Sequence, residues 1–158
     1  MIQRIQTAYL AIAIILLAIV TCGTSLFSFI GETSRYTFSS YGVVEYALED
    51  GVLMSQKSYP FYIGTIALAL LCFICLMSYK KLERQFKLGR TIFFIYFLML
   101  VSVVLLSVFG DVLIDVESKG REMELGFLLF VAGFPFTFLA NTGIKRDKKL
   151  IASLDRLR

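Results

Sequence analysis

Residues 91–110 read TIFFIYFLMLVSVVLLSVFG, a run bounded by Arg90 and Asp111 and holding no charge, with Ser102 and Ser107 as its interior polar groups. A helix rising 1.5 Å per residue needs about 20 apolar residues to cross the ~30 Å hydrocarbon core of a bilayer, and this run has that length. Outward from it lie three more charge-free runs, at residues 5–31, 58–79 and 125–144. With 58% apolar residues in a chain of 158, the composition departs from that of an ordinary soluble domain. The pattern predicts an all-α membrane protein: one four-span domain folded as a four-helix transmembrane bundle with short β-like extracytoplasmic loops. The expected spans are about 7–30, 60–79, 91–110 and 125–144.

Orientation follows from Lys and Arg, because positive residues in short loops resist translocation. Arg4, the connector 80–90 (Lys80, Lys81, Arg84, Lys87, Arg90) and the tail 145–158 (Lys145, Arg146, Lys148, Lys149, Arg156, Arg158) together hold twelve of the sixteen basic residues. The loops 31–59 and 111–124 hold Arg35, Lys57, Lys119 and Arg121. Both termini are therefore expected in the cytoplasm of a multi-pass inner-membrane protein. This asymmetry accounts for the net charge of +4 without nucleic acid as a partner. The two basic segments are the expected contacts for lipid headgroups or a cytoplasmic protein, helped in the tail by the stripe Leu150, Leu154 and Leu157. The tetrad Ile19-Val20-Thr21-Cys22 resembles a lipoprotein cleavage site only faintly: the apolar run exceeds a signal core, and Thr is a poor residue before the Cys.

Within the spans, Ala11, Ala18 and Ser25 recur every seven residues, and Gly133 with Pro135 interrupts the fourth; these are the expected helix-packing positions. Pro135 removes one backbone bond and is expected to kink its helix. Pro60 suits the start of the second helix, which is expected to run on past the bilayer to a Gly89 cap. Outside the spans, Tyr36-Thr37-Phe38-Ser39 and Val43-Val44-Glu45-Tyr46 flank a turn at Ser40-Tyr41-Gly42, and Asp50-Gly51 offers another. A second hairpin is expected from 112–116 and 122–125, so that the two loops together can form a small sheet.

Catalytic chemistry is poorly supplied. There is no His, so hydrolytic triads lack their base and a metal site at Cys72-Phe73-Ile74-Cys75 lacks two ligands. The same CxxC as an intramembrane thiol oxidoreductase lacks an outer cysteine to relay electrons. Asp111, Asp115 and Glu117 give fewer oxygens than a Ca²⁺ site needs. No Asp, Glu, Lys, Arg or His interrupts a span, as ion coupling would require. Neither an enzyme, a cofactor nor a metal is expected.

The opening Met1-Ile2-Gln3-Arg4-Ile5-Gln6-Thr7 and the closing Ser153-Leu154-Asp155-Arg156-Leu157-Arg158 resemble a Bacteroidota family of small four-span inner-membrane proteins of unknown function. The resemblance implies a bacterial cytoplasmic-membrane location and carries no activity. The function expected is a non-enzymatic accessory or scaffolding subunit, partnered by the lipid bilayer and by other integral subunits or itself. The alternative from another class is a small carrier or lipid-handling protein with a cavity near Pro135 and Asn141.

Overall fold

A computed structural model describes residues 3–48, 50–114 and 119–155. The chain runs α1 (Gln3–Thr21), β1 (Ser25–Ile30), β2 (Ser34–Ser39), β3 (Gly42–Ala47), β4 (Leu53–Ser58), α2 (Phe61–Met77), a 3₁₀ turn (Ser78–Lys80), α3 (Leu82–Ile114), β5 (Gly120–Met123) and α4 (Leu125–Asp155). All strands are antiparallel in one sheet, in the order β4-β3-β2-β1-β5. Each helix meets the sheet at one end: α1 leads into β1, α2 leaves β4, α3 leads toward β5 and α4 leaves it. Laterally, α1 packs on α2 and α4, and α3 packs on the same two.

The all-α, four-span expectation is overturned in two respects. First, the run 5–31 does not stay helical. α1 closes where the Cys22 amide donates to the Ala18 carbonyl (2.9 Å) and that of Gly23 to Val20 (3.3 Å). Gly23 has φ +98°, a left-handed conformation that a Cβ disfavours and that commonly ends helices. The following Ser-Leu-Phe-Ser-Phe-Ile becomes β1, whose residues 26–29 are all buried because β1 is an inner strand, paired to β2 on one side and β5 on the other. Apolar character on both faces, which resembles a span by composition, is what an inner strand packed on helices also requires.

Second, among the described residues only α3 and α4 contain stretches long and apolar enough to cross a membrane, 29 residues at Leu82–Gly110 and 26 at Leu125–Leu150. The apolar helices Ile5–Thr21 and Phe61–Met77 are shorter. The 17 residues of α2 rise about 25 Å, less than the ~30 Å core. The two long helices are not the hidden core of a soluble domain, since 22% and 28% of their most apolar stretches are buried. Phe94, Leu98, Leu105 and Phe109 on α3, and Leu128 and Phe138 on α4, stand exposed.

Three boundaries also differ from the sequence expectation. The reversal between α2 and α3 lies at 78–81, so Gly89 is inside α3 and caps nothing. The connector 80–90 is therefore mostly the first turns of α3. Residues 112–114 are helical, so the second hairpin does not form as expected: β5 pairs with β1, and 115–118 lie outside the described residues. The basic tail continues α4 as far as Asp155.

Candidate functional site

The basic residues gather at the end of the helices away from the sheet, because α3 begins there and α4 ends there. Lys148 ties the two segments, its Nζ lying 3.3 Å from a Glu83 carboxylate oxygen and 5.3 Å from the Phe86 ring centroid. Lys81, Arg84, Lys87, Arg90, Lys145, Arg146 and Lys149 are exposed around it. The Lys80 side chain and residues Arg156 and Arg158 lie outside what is described, as do the side chains of Ile151 and Leu154. Beneath this end, the buried Gln6 of α1 donates to Asp147 Oδ2 of α4 (2.6 Å). Asp147 is 5% exposed, a buried carboxylate that the sequence placed in a solvated tail. Gln6 was legible as a polar residue in an apolar run; that Asp147 faces it depends on α4 continuing unbroken through 145–150.

The packing positions read from sequence do not form one stripe. The inward face of α1 is Leu10, Ala13, Leu17 and Val20, whereas Ala11 is half-buried, Ala18 is exposed and Ser25 belongs to β1. Gly133 and Pro135 lie elsewhere, where α4 crosses α3. There the fully buried Tyr96 places its hydroxyl against the Cα of Gly133, in space a Cβ would occupy, and donates to the Phe130 carbonyl (2.8 Å). Its ring stacks on Phe134 with centroids 5.8 Å apart. Tyr96 was hidden in the charge-free run 91–110, and no spacing marks it. Pro135, one residue beyond Phe134, is exposed on α4.

The thiols of Cys72 and Cys75 are buried and not joined in a disulfide, and that of Cys75 donates to the Gln85 carbonyl (3.6 Å). No group of three metal-ligating side chains occurs among the described residues.

The sheet carries the remaining organised chemistry, divided between its faces. On one, Arg35 reaches across from β2 to Glu122 (2.8 Å) and Glu124 (2.7 Å), and also donates to the Ser28 hydroxyl (3.1 Å), joining the two loops through β1. The pairs Ile30↔Arg35 and Ser28↔Glu122 put these groups side by side. The other face, turned toward the helices, presents Phe27, Phe29, Phe38 and Val43 to a cavity of about 390 Å³. Phe27 stacks on Phe38 with centroids 4.7 Å apart and planes 4° from parallel. Phe61 of α2 and Leu106 of α3 close the opposite wall. Arg121 stands at the rim, its guanidinium carbon 5.9 Å from the Phe29 ring centroid. On the same face, Tyr36 donates to Glu45 (2.8 Å). Burial first, and then that bond, raises the Tyr36 phenol above its ordinary pKa.

The edge strands of the sheet are β5 and β4, and the longer of the two is β4. All six of its residues are exposed, and among the described residues nothing pairs with its far side.

A helical layer with two membrane-length helices, closed at one end by a five-stranded antiparallel sheet, is thus the class of molecule. Within it the chain belongs to the family described as a domain of unknown function, DUF4293, whose model matches residues 2–157. No curated protein matches the chain.

Proposed function

We propose that the protein is a non-enzymatic accessory subunit of a bacterial inner-membrane complex, held in the bilayer by α3 and α4. The exposed apolar faces of those helices support lipid as their solvent. The concentration of Lys and Arg at the helix ends away from the sheet supports a cytoplasmic position for that end and an extracytoplasmic one for the sheet. In this reading the basic end sits at the inner-leaflet headgroups, where each cation near anionic lipid contributes about 1 kcal/mol.

The observation that carries the subunit reading is the open edge of β4. A strand edge with unpaired backbone groups is a template for another strand, and proteins that leave one exposed normally blunt it with charge, a bulge or a cover. Here the blunting is slight: an irregularity in the pairing between Glu45 and Tyr46, and Lys57 as the only charge in the strand. Val52, Leu53 and Met54 add exposed apolar surface beside it. The partner is accordingly an extracytoplasmic segment of another membrane subunit that adds a strand to β4.

A photo-crosslinking residue at Gln56, in protein expressed at native level, tests this. The expected result is one adduct of defined mass, absent when the crosslinker is at Lys149 and suppressed by Met54→Lys with Ser58→Lys. An uncrosslinked monomer at Gln56, or an adduct with the mass of two copies of this chain, contradicts the reading.

A further inference from the structure

The chain leaves β4 at Ser58 and enters α2 at Phe61. Three residues of extended backbone span about 10 Å at most, so whatever seats on the β4 edge next meets the outward face of α2. That face is apolar throughout. Ile63, Ile66, Leu70, Phe73 and Met77 stand exposed along it, and every other exposed residue of α2 is apolar as well. Steps of 3, 4, 3 and 4 residues between them are the seam of a helix that packs on another at about 20°. Among the described residues no element covers this seam.

Composition alone would suit lipid on this face, and two observations favour a protein helix. α2 packs between α1 and α3, so where α3 crosses a bilayer the outward face of α2 lies in it too. Its 17 residues fall about 5 Å short of the hydrocarbon core. A helix too short for its bilayer is driven toward association with other helices. The second observation is continuity with the β4 edge: residues 51–60 are all exposed, and the stripe of α2 follows at Ile63. α1 and α4 lack this continuity. α1 exposes Ile5, Ile12, Ile15 and Ile19, but it leads into β1, which is paired on both sides. α4 follows β5, which has two charges among its four residues, and short, charged strands are blunted edges.

The register of β4 specifies the added strand. Every pairing in the sheet is antiparallel, and β4 runs toward the helices. An added strand that extends the pattern runs away from them, so the partner's helix precedes its strand. Lys57 is exposed in β4 and forms no ion pair among the described residues. Opposite charge directly across a strand pair is stabilising and like charge destabilising, which selects an acid opposite Lys57.

We propose that the partner binds as one helix–strand unit: its transmembrane helix packs on the α2 stripe, and a few residues later its strand pairs antiparallel with β4, an acid facing Lys57. The proposal deepens the accessory-subunit reading and rests on the β4 partner given there.

Photo-crosslinking residues at Leu70 and at Leu98, an exposed position of α3, in the full chain at native expression and beside the Gln56 probe, test it. Leu70 is expected to capture the same polypeptide as Gln56, and Leu98 none. Peptide mapping should place the Leu70 adduct in an apolar stretch and the Gln56 adduct within about 30 residues on its C-terminal side, one helix and one strand away. Lys57→Glu should lower the Gln56 yield about fivefold, and Lys57→Arg should leave it unchanged. An adduct at Gln56 with none at Leu70, or with a different polypeptide there, overturns the helix–strand unit and leaves the β4 reading standing. Equal adducts at Leu70 and Leu98 overturn it as well, because they report chance encounters in the membrane. An undiminished yield in Lys57→Glu overturns the facing acid. Silence at Gln56 removes the β4 reading itself, and the proposal with it.

Discussion

The runs at 91–110 and 5–31 are alike in composition, both free of charge and both long enough to cross a bilayer, yet the first is one helix and the second is a helix followed by a strand. In 91–110 nothing interrupts the helix, which continues through Gly110 to Ile114. In 5–31 the sequence Cys22-Gly23-Thr24 gathers a left-handed glycine between two residues that serve as its cap, the Thr24 hydroxyl donating to the Ile19 carbonyl (3.4 Å). Beyond it, β1 finds partners on both sides, which satisfy its backbone groups as well as a helix would. The contrast teaches that absence of charge reports what surrounds a segment, whereas its backbone period is set by local stops and by what is available to pair.

Changing the stop should have the largest effect. Gly23→Val forces a side chain into a positive φ and, at 3.1 Å, against the Tyr41 ring; the expected loss is about 2 kcal/mol of stability. Ser102→Leu, at an exposed position of α3, should stay within about 0.5 kcal/mol. Unfolding in mild detergent followed by circular dichroism compares them, and an equal effect would break the contrast. A smaller loss is expected when the two loops are uncoupled on the far face of β1. Arg35→Gln removes both carboxylate contacts, but the Arg35 side chain is 38% exposed, so about 1 kcal/mol is expected in the same measurement. Glu122→Gln alone, at the more exposed partner, should cost less than Glu124→Gln.

The smallest expected effect is a pH dependence confined to the sheet. The folded pKa of Tyr36 is raised above its ordinary 10.0, so the unfolded chain loses this proton first. The contribution is present in full below about pH 10 and is lost as the pH rises through the folded value. Tyr36→Phe should flatten that alkaline slope, which a series of melts above pH 9 would record; an unchanged slope would mean that another group carries it.

Much of this arrangement was legible beforehand, and the failures have physical causes. The strands β2 and β3 and the turn between them follow from the β-prone stretches on either side of Ser40-Tyr41, and α3 and α4 follow from uninterrupted apolar runs. The all-α conclusion failed at β1, because an inner strand buried on both faces has no alternation to betray it. The reversal at 78–81 was missed since Ser78-Tyr79-Lys80 carries neither Gly nor Pro, while Gly89 imitates a cap. Of the candidate site, the basic end could be read from charge alone. The cavity could not, since it arises from pairing Phe27 with Phe38 and Phe38 with Val43, contacts that require the register of three strands. Tyr96 and Asp147 share that difficulty: one is an ordinary aromatic in a greasy run, the other an ordinary acid in a basic tail, and only the packing of α4 gives each its place.

The account depends most on the sheet and the basic helix ends lying on opposite sides of a bilayer crossed by α3 and α4. In a background with Cys22, Cys72 and Cys75 replaced by serine, single cysteines at Gln56 and at Lys87 can be challenged with a membrane-impermeant maleimide in sealed spheroplasts and again after lysis. The expected result is labelling at position 56 in sealed spheroplasts and at position 87 only after lysis. Labelling of both from the same side would contradict it.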